Sequence, residues 1–452
     1  MKRWNAQRVA TAAGASLIAE PEGAGGPERA IVDSRQARPG DLFVGLPGAS
    51  ADGGEFAPQA LAAGAWGVLV GPEYAEVATA GHPGAVLAAE DPLMALQALA
   101  RAWRRELGAA TVGVTGSTGK TSTKDLLLAL LTPHRRTVAS RANFNTEIGL
   151  PLEILAAPEQ TEILVLEMGM RGAGQIAELA AIAEPEVGVI VSIGPVHLEL
   201  MGSLEAIAAA KAELIAGLPA GGTAVVPAGE ELLAPHIRSD VNTVTFGAQG
   251  DVRQLTAGGE HVEIDAAGER VVLEVPFTQA HLRSNLLAAV AAARAVGVTP
   301  SGRVELLLSA GRGDRIEVPG GLTIIDDCYN ANPMSMRAAL SDLADTAARS
   351  GGSRRIAVLG DMLELGDRER DFHAELAEAA RAAEVDVLVT VGPLAAAIGE
   401  RFDGEAHAVP DAIQAAAIVP ELVHGGDVVL VKASRGVGLE LVCAALGARQ
   451  PA

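Results

Sequence analysis

The sequence predicts an α/β protein of three domains: a small mixed α/β domain over 1–88, a central parallel-sheet domain over 89–312 and a doubly wound C-terminal domain over 313–452. Three observations carry that prediction. Thr111-Val-Gly-Val-Thr-Gly-Ser-Thr-Gly-Lys-Thr-Ser-Thr123 reads as a strand, a glycine-punctuated turn and a helix start in immediate succession. Near-continuous apolar runs then alternate with helical patterns to about residue 300, which suits a parallel sheet covered on both faces. From residue 322 a second series of strand–helix units begins, enough for a sheet of its own.

The elements follow in order. Over 1–88, strands are expected at Ala30–Arg35, Asp41–Gly45 and Trp66–Val70, between Gly/Pro clusters around 20–27, 47–54 and 81–84. A helix over Pro92–Glu106, with Leu93, Leu96, Leu99 and Trp103 on one face, leads into the central domain. There, strands are expected at Glu162–Leu166, Val187–Ser192 and Ala224–Val226. Residues 241–276 alternate Val, Thr and Glu about an Ala266-Ala-Gly268 turn and read as a small antiparallel flap, and a helix over about 280–296 closes the domain. The C-terminal strands are Leu322–Ile325, Arg355–Leu359, Val385–Val391 and Asp427–Val431, a Rossmann-like series.

Composition narrows the function. The 452 residues are 49% hydrophobic but only 3% aromatic, enough for real cores built of Ala, Val, Leu and Gly. A net charge of −21 argues against nucleic acid and anionic membranes as partners. Two cysteines, Cys328 and Cys443, lack metal-ligand spacing and fit a reducing cytosol. The Met1-Lys-Arg start is followed by no apolar stretch of signal-peptide type, and no run of about 18 apolar residues predicts membrane insertion. The expected location is cytoplasmic.

Chemistry starts at Gly116-Ser117-Thr118-Gly119-Lys120-Thr121-Ser122. Glycines let backbone N–H groups converge on an anion, and the following helix start adds partial positive charge. Lys120 can meet outer phosphate oxygens and the Thr121 hydroxyl can hold Mg²⁺, so the central unit reads as a P-loop-type ATPase domain. The longer P-loop pattern wants a glycine where this chain has Val114, so the loop is the short G-x-x-G-K-T form. Glu167 ends an apolar strand, either as a solvent-facing acid or as a second magnesium ligand. His197 follows another strand end. Lys211 lies two turns into a helix that Ser203 is expected to cap, a position more often solvated than functional.

Together with Asn143-Phe-Asn-Thr-Glu-Ile-Gly149, Glu167-Met-Gly169, His197-Leu-Glu199 and Lys211-Ala-Glu213, this loop resembles the ATP-dependent Mur ligases of peptidoglycan precursor synthesis. Asp326-Asp-Cys-Tyr-Asn-Ala-Asn-Pro333 and Leu359-Gly-Asp-Met-Leu-Glu-Leu-Gly366 resemble the branch of that family that adds D-Ala-D-Ala to UDP-N-acetylmuramoyl-tripeptide. The Asp326–Pro333 stretch speaks against the ligases that add the third peptide residue and against folylpolyglutamate synthetases. A rival of another class is a nucleotide-hydrolysing switch, which needs neither flanking domain.

The resemblance implies an amide ligase that activates a peptide carboxylate as an acyl phosphate, using ATP and two Mg²⁺ ions and acting as a monomer. It places Lys120 and Thr121 on phosphates and the first metal, with Glu167 completing that metal's shell. It places His197 and a carbamylated Lys211 on the second metal, and carbamylation requires an amine neutralised by burial. Asn285 matches an adenine contact; members usually read His-Asn where this chain has His281-Leu282. Arg312 matches an arginine that reaches the phosphates, with Arg315 as a nearby competitor. Asp327, Tyr329, Asn330 and Asn332 would face the nucleotide, although Asn-Ala-Asn-Pro also reads as a turn. Lys432, Ser434 and Arg435 would read the acceptor dipeptide or the intermediate. Asn143, Asn145 and Thr146 belong to the substrate-binding set, and Ser34 and Arg35 are the candidates for the uridine diphosphate. The family's D-G-H-x-F is Asp52-Gly-Gly-Glu-Phe56 here, without the histidine.

Overall fold

The computed structural model describes residues 1–447 except 22, 24, 81, 82, 142, 257, 258 and 352. Parts of the expected turn clusters at 20–27 and 81–84, and of the 241–276 flap, therefore lie outside the described residues. Three α/β sheets follow one another along the chain. The first has five strands in the spatial order Ser16–Ala19, Ala85–Ala88, Gly67–Val70, Asp41–Val44 and Arg29–Ile31, parallel except for the first. The strand expected over Ala30–Arg35 stops at Ile31. Asp33 accepts from the Arg35 backbone N–H and starts a 3-10 turn over Ser34–Gln36, a local side-chain bond that competes with the ladder.

Helix Ala6–Ala13 packs on helix Pro92–Leu107, and Trp4 meets Trp103 edge to face with centroids 5.5 Å apart. One apolar core runs from Met1 through Leu42 and Leu87 to Leu164 and Leu214. The chain near residue 88 is thus not a solvated linker, because the small first sheet completes its core on the second.

The central sheet has ten strands. From one edge they are Gly302–Arg303, Glu269–Glu274, His261–Ala266, Val252–Gln254, Asn242–Phe246, Thr223–Pro227, Val187–Ile190, Ala110–Thr115, Ile163–Glu167 and Thr137–Ala139. The expected antiparallel flap needs correction. Asn242–Phe246 runs parallel to Thr223–Pro227 and Val252–Gln254 continues that direction; from there the expected antiparallel pairing holds, Val252–Gln254 with His261–Ala266 and that strand with Glu269–Glu274. All belong to the main sheet, since Phe246, Val252, Val262 and Ile264 bury one face in the core with helix Ala280–Ala295. The alternating pattern records that one-sided burial.

The C-terminal sheet runs Asp314–Val318, Leu322–Asp326, Val428–Lys432, Arg355–Gly360, Val387–Val391 and Glu405–Val409, parallel but for its first strand. The two edge strands were not expected; both carry mixed polar sequence with little continuous apolar signal. No helix among the described residues is long and apolar enough to cross a membrane.

The topology places the chemistry. Adjacent central strands Val187–Ile190, Ala110–Thr115 and Ile163–Glu167 end, respectively, in the segment to His197, the phosphate loop and Glu167. Adjacent C-terminal strands Leu322–Asp326, Val428–Lys432 and Arg355–Gly360 end in Asp327–Asn332, Ser434-Arg435 and Asp361–Glu364. Ligands in open α/β sheets bind beyond such carboxyl ends, and here residues of two sets line shared cavities.

Candidate active site

Gly119 has φ 78° and starts helix Lys120–Leu131. A Cβ there would stand 2.6 Å from Asn285 Oδ1 and 2.9 Å from Val191 Cγ1. Glycine is therefore required twice, for a left-handed backbone and because helix Ala280–Ala295 closes on the loop. Val114 lies fully buried inside its strand, so the anion-binding turn begins only at Gly116. Ser117 Oγ accepts from Gly194 N at 2.9 Å and donates to Gly194 O at 3.0 Å, while Thr118 N donates to Ser192 Oγ at 2.9 Å. These bonds tie the loop to the neighbouring strand end. Lys120 Nζ donates to Gly116 O at 2.8 Å. Burial pushes its pKa down, partly offset by Glu167.

Thr121 Oγ1 donates to Glu167 Oε2 at 2.8 Å, and Asn145 Nδ2 donates to Glu167 Oε1 at 2.8 Å. Both oxygens of this buried carboxylate are therefore held, and Ser140 Oγ accepts from the Glu167 backbone N–H at 3.0 Å. An oxygen pair of a hydroxyl and a carboxylate is the donor set Mg²⁺ takes. Arg312 Nη2 reaches Thr121 Oγ1 at 3.3 Å, whereas Arg315 pairs with Asp342 and bonds Thr346, away from the loop.

His197 adopts φ 53° and presents Nδ1 to the Glu364 carboxylate, itself at φ 64°. A carboxylate only accepts, so Nδ1 carries the hydrogen and Nε2 is left with a lone pair. Burial pushes the imidazole pKa down against the pull of Glu364, which favours the neutral, metal-ligating ring. Glu364 was not singled out from the sequence, although it lies in the Leu359–Gly366 stretch. Lys211 is 2% exposed on helix Leu204–Ala216, and none of the described residues pairs with it. Burial, then Lys120, pushes its pKa well below the lysine range, the condition a carbamate needs. It lines neither of the two cavities at this site.

Two cavities meet at Ser117, Lys120, Arg312, Asn330 and Asn332. The smaller, about 380 Å³, is lined by Thr118, Gly119, Thr121, Ser122, His281, Leu282, Asn285 and Asp327. The larger, about 670 Å³, is lined by Asn143, Asn145, Thr146, Glu167, His197, Glu364, Ser434 and Arg435. Gly116 lines neither and offers its carbonyl to Lys120.

Several expected placements change. Tyr329 lines the larger cavity, its ring between Arg312, 4.0 Å from the centroid, and Arg435 at 5.4 Å. Lys432 lines the smaller cavity: fully buried, its Nζ donates to Asp327 Oδ2 at 2.6 Å and to Asn330 O at 2.9 Å. A buried ammonium takes the nearest anion, and the next residue pair along, Ser434 and Arg435, faces the larger cavity instead. Asn332 Oδ1 caps helix Pro333–Arg349 through Ser335 N at 2.9 Å, so the turn reading of Asn-Ala-Asn-Pro is realised as well. Ser34 and Arg35 line neither cavity. Arg35 is exposed and pairs with Asp33, holding that carboxyl at about 2.

Comparison with known proteins agrees with this geometry. The Mur ligase family, catalytic domain model matches residues 31–104, the Mur ligase middle domain model 114–293 and the Mur ligase, glutamate ligase domain model 311–435. The chain is 38% identical to the UDP-N-acetylmuramoyl-tripeptide--D-alanyl-D-alanine ligase of Bacillus subtilis over 90% of each chain. It is 31% identical to the Escherichia coli enzyme of that name over 92% of each. Among solved structures it superposes on MurF from Acinetobacter baumannii with a TM-score of 0.85, 28% identity and 98% coverage of both chains. MurF ligase from Thermotoga maritima, solved in complex with ADP, gives 0.80 at 31% identity, covering 92% of this chain and 96% of that one. Full-length similarity at these identities, carried by the same three-sheet architecture, means that this chain belongs to the Mur ligase family.

Proposed function

We propose that this protein is an ATP-dependent amide ligase that joins D-Ala-D-Ala to UDP-N-acetylmuramoyl-tripeptide in cytoplasmic peptidoglycan-precursor synthesis, working as a monomer. One observation carries the reading: Ser117, Lys120 and Arg312 form the common wall of two cavities. ATP in the smaller cavity, its base beside Asn285 and Leu282, presents its γ-phosphate at that wall. The peptide carboxylate approaches from the larger one. Positions 1–88, 89–312 and 313–452 would serve as UDP-sugar, ATP and dipeptide domains.

A carboxylate is a poor acylating agent, so its oxygen first takes the γ-phosphoryl, releasing ADP. The dipeptide amine then attacks the carbonyl carbon, the C–N bond forms, and phosphate leaves as the C–O bond breaks. Phosphoryl transfer needs positioning and charge neutralisation more than covalent help. Lys120 and Arg312 supply both at the shared wall, and Arg312 is oriented by its stacking on Tyr329. Asn145 orients Glu167, and Glu364 orients His197. Magnesium, held by Thr121 and Glu167 with a second ion at His197 and a Lys211 carbamate, would supply further neutralisation of phosphates and carboxylate. Arg435 and Ser434 line the larger cavity, and a guanidinium there would take the dipeptide's free carboxylate.

Phosphate release measured with each substrate omitted in turn tests this. Strict dependence on UDP-N-acetylmuramoyl-tripeptide and D-Ala-D-Ala together is the expected result. ATP hydrolysis without either would point to a nucleotide switch instead. Precursors carrying diaminopimelate, lysine or ornithine at residue three identify the preferred acceptor.

A further inference from the structure

Only two of the 452 residues are cysteines, and the fold brings them together. Cys328 follows strand Leu322–Asp326 and Cys443 lies on helix Glu440–Ala445; both are buried, with Sγ atoms 3.8 Å apart. Asp326 completes the group, since a carboxylate oxygen and both sulfurs all lie within 4.8 Å of one another. The ligase reaction uses none of the three.

We propose that Asp326, Cys328 and Cys443 form a site for one thiophilic divalent cation of the Zn²⁺ class, and that its occupation weakens ATP binding. The donor set decides the class of ion. Two sulfurs and one oxygen suit Zn²⁺ or Cd²⁺ and not Mg²⁺, which demands an all-oxygen octahedron. The spacing fits too. Two thiolates at Zn–S distances of about 2.3 Å on a tetrahedral ion stand about 3.8 Å apart, so the sulfurs need not move toward or away from each other. The Val431 carbonyl oxygen, 3.4 Å from Cys328 Sγ, stands beside the group as a fourth donor. Binding forms two metal–sulfur bonds and releases the two thiol protons to solvent.

The site is coupled to the nucleotide through three consecutive residues. An Asp326 carboxylate oxygen accepts from Cys328 N at 3.1 Å and so shapes the turn that carries Asp327. Asp327 in turn holds Lys432 in the wall of the smaller cavity. A cation that draws the Asp326 carboxylate toward the two sulfurs distorts the turn this bond shapes and shifts Asp327 and Tyr329.

The test uses the full-length, reduced, metal-free protein titrated with Cd²⁺, whose thiolate charge-transfer band reports sulfur ligation. One equivalent is expected to bind, with release of two protons. Zn²⁺ should erase the band, and millimolar Mg²⁺ should not. One equivalent of Zn²⁺ should raise the KM for ATP several-fold. Cys443→Ser should abolish band and inhibition while leaving basal turnover unchanged, and Asp326→Asn should weaken binding about tenfold or more. Circular dichroism checks that each variant folds, and Cys443→Ala replaces the serine variant if the buried hydroxyl unfolds the sheet. No band on protein with two titratable thiols, a band that survives loss of Cys443, or a Cys328–Cys443 disulfide in protein freshly purified without reductant would each overturn the site. Stoichiometric binding with an unchanged KM would overturn the coupling.

Discussion

Removing the Glu364 carboxylate asks how the C-terminal sheet completes a site built mainly on the central one. Glu364 Oε2 accepts from His197 Nδ1, and Oε1 lies 3.8 Å from Arg171; the His197 and Glu364 side chains are 25% and 37% exposed. A hydrogen bond to a charged group contributes about 1.5–3 kcal/mol net. Water access to Glu364 lowers that to about 1 kcal/mol, roughly a fivefold bias toward the contact between the two sheets. Loss of the carboxylate behind a metal-ligating histidine weakens metal affinity by about 10–100-fold. Glu364→Ala is therefore expected to raise the Mn²⁺ concentration needed at the site by about tenfold or more, beyond what loss of that contact alone accounts for. Glu364→Gln, whose amide oxygen still accepts from Nδ1–H, should recover most of it. Mn²⁺ titration with a non-hydrolysable ATP analogue, followed by electron paramagnetic resonance, reads the affinity directly. A double-mutant cycle with His197→Asn should show coupling of about 1 kcal/mol. Strict additivity, or wild-type Mn²⁺ affinity in Glu364→Ala, would refute the orienting role.

Four further outcomes are expected. Gly119→Ala should abolish ATP binding by equilibrium titration, because its Cβ would collide with Asn285 and Val191, while the left-handed backbone alone costs about 1–2 kcal/mol; retained affinity would mean the loop is not the phosphate site. Lys211→Ala should lose turnover and regain part of it with added short-chain carboxylates, and ¹³C-bicarbonate should give a carbamate resonance only in the wild type. Lys432→Met leaves Asp327 unpaired and should destabilise the C-terminal unit by about 3 kcal/mol in urea unfolding, with Asp327→Asn in the same background restoring part of the loss. Finally, His373 is fully buried, its Nε2 accepting from Met362 N at 2.8 Å, and burial pushes its pKa down. The unfolded chain then binds the proton more readily, so stability should rise with pH up to about 6.5 and level off above it, by at most about 1.4 kcal/mol per pH unit and proton. His197 and His281 are shifted in the same direction, so the slope difference between wild type and His373→Leu isolates this residue; identical slopes would contradict it.

The central residues were legible because each announces itself locally. A β-branched run, two glycines, Lys120-Thr121 and a leucine-rich helix can hardly be anything but strand, anion turn and helix. Glu167 and His197 stand at the carboxyl ends of apolar runs, which topology places side by side. What failed to show was everything set by partners distant in the chain. Glu364 looks like any surface acid in a loop until it meets His197, 167 residues away. Nothing in the sequence around Lys432 shows that its ammonium pairs with Asp327, 105 residues away. Polar edge strands such as Glu405–Val409 have no apolar run to reveal them.

By itself, therefore, the order of residues determined the succession of strands and helices, the phosphate loop and the likeness to a ligase family, since these depend on periodicity and on turn chemistry within a dozen residues. Only the tertiary structure decided that the first two sheets share one core, that Tyr329 lies between Arg312 and Arg435, and that Lys211 is buried without a partner among the described residues. The reason is physical: burial and charge pairing depend on which surfaces dry each other out, and that depends on contacts between segments that are not neighbours in the chain.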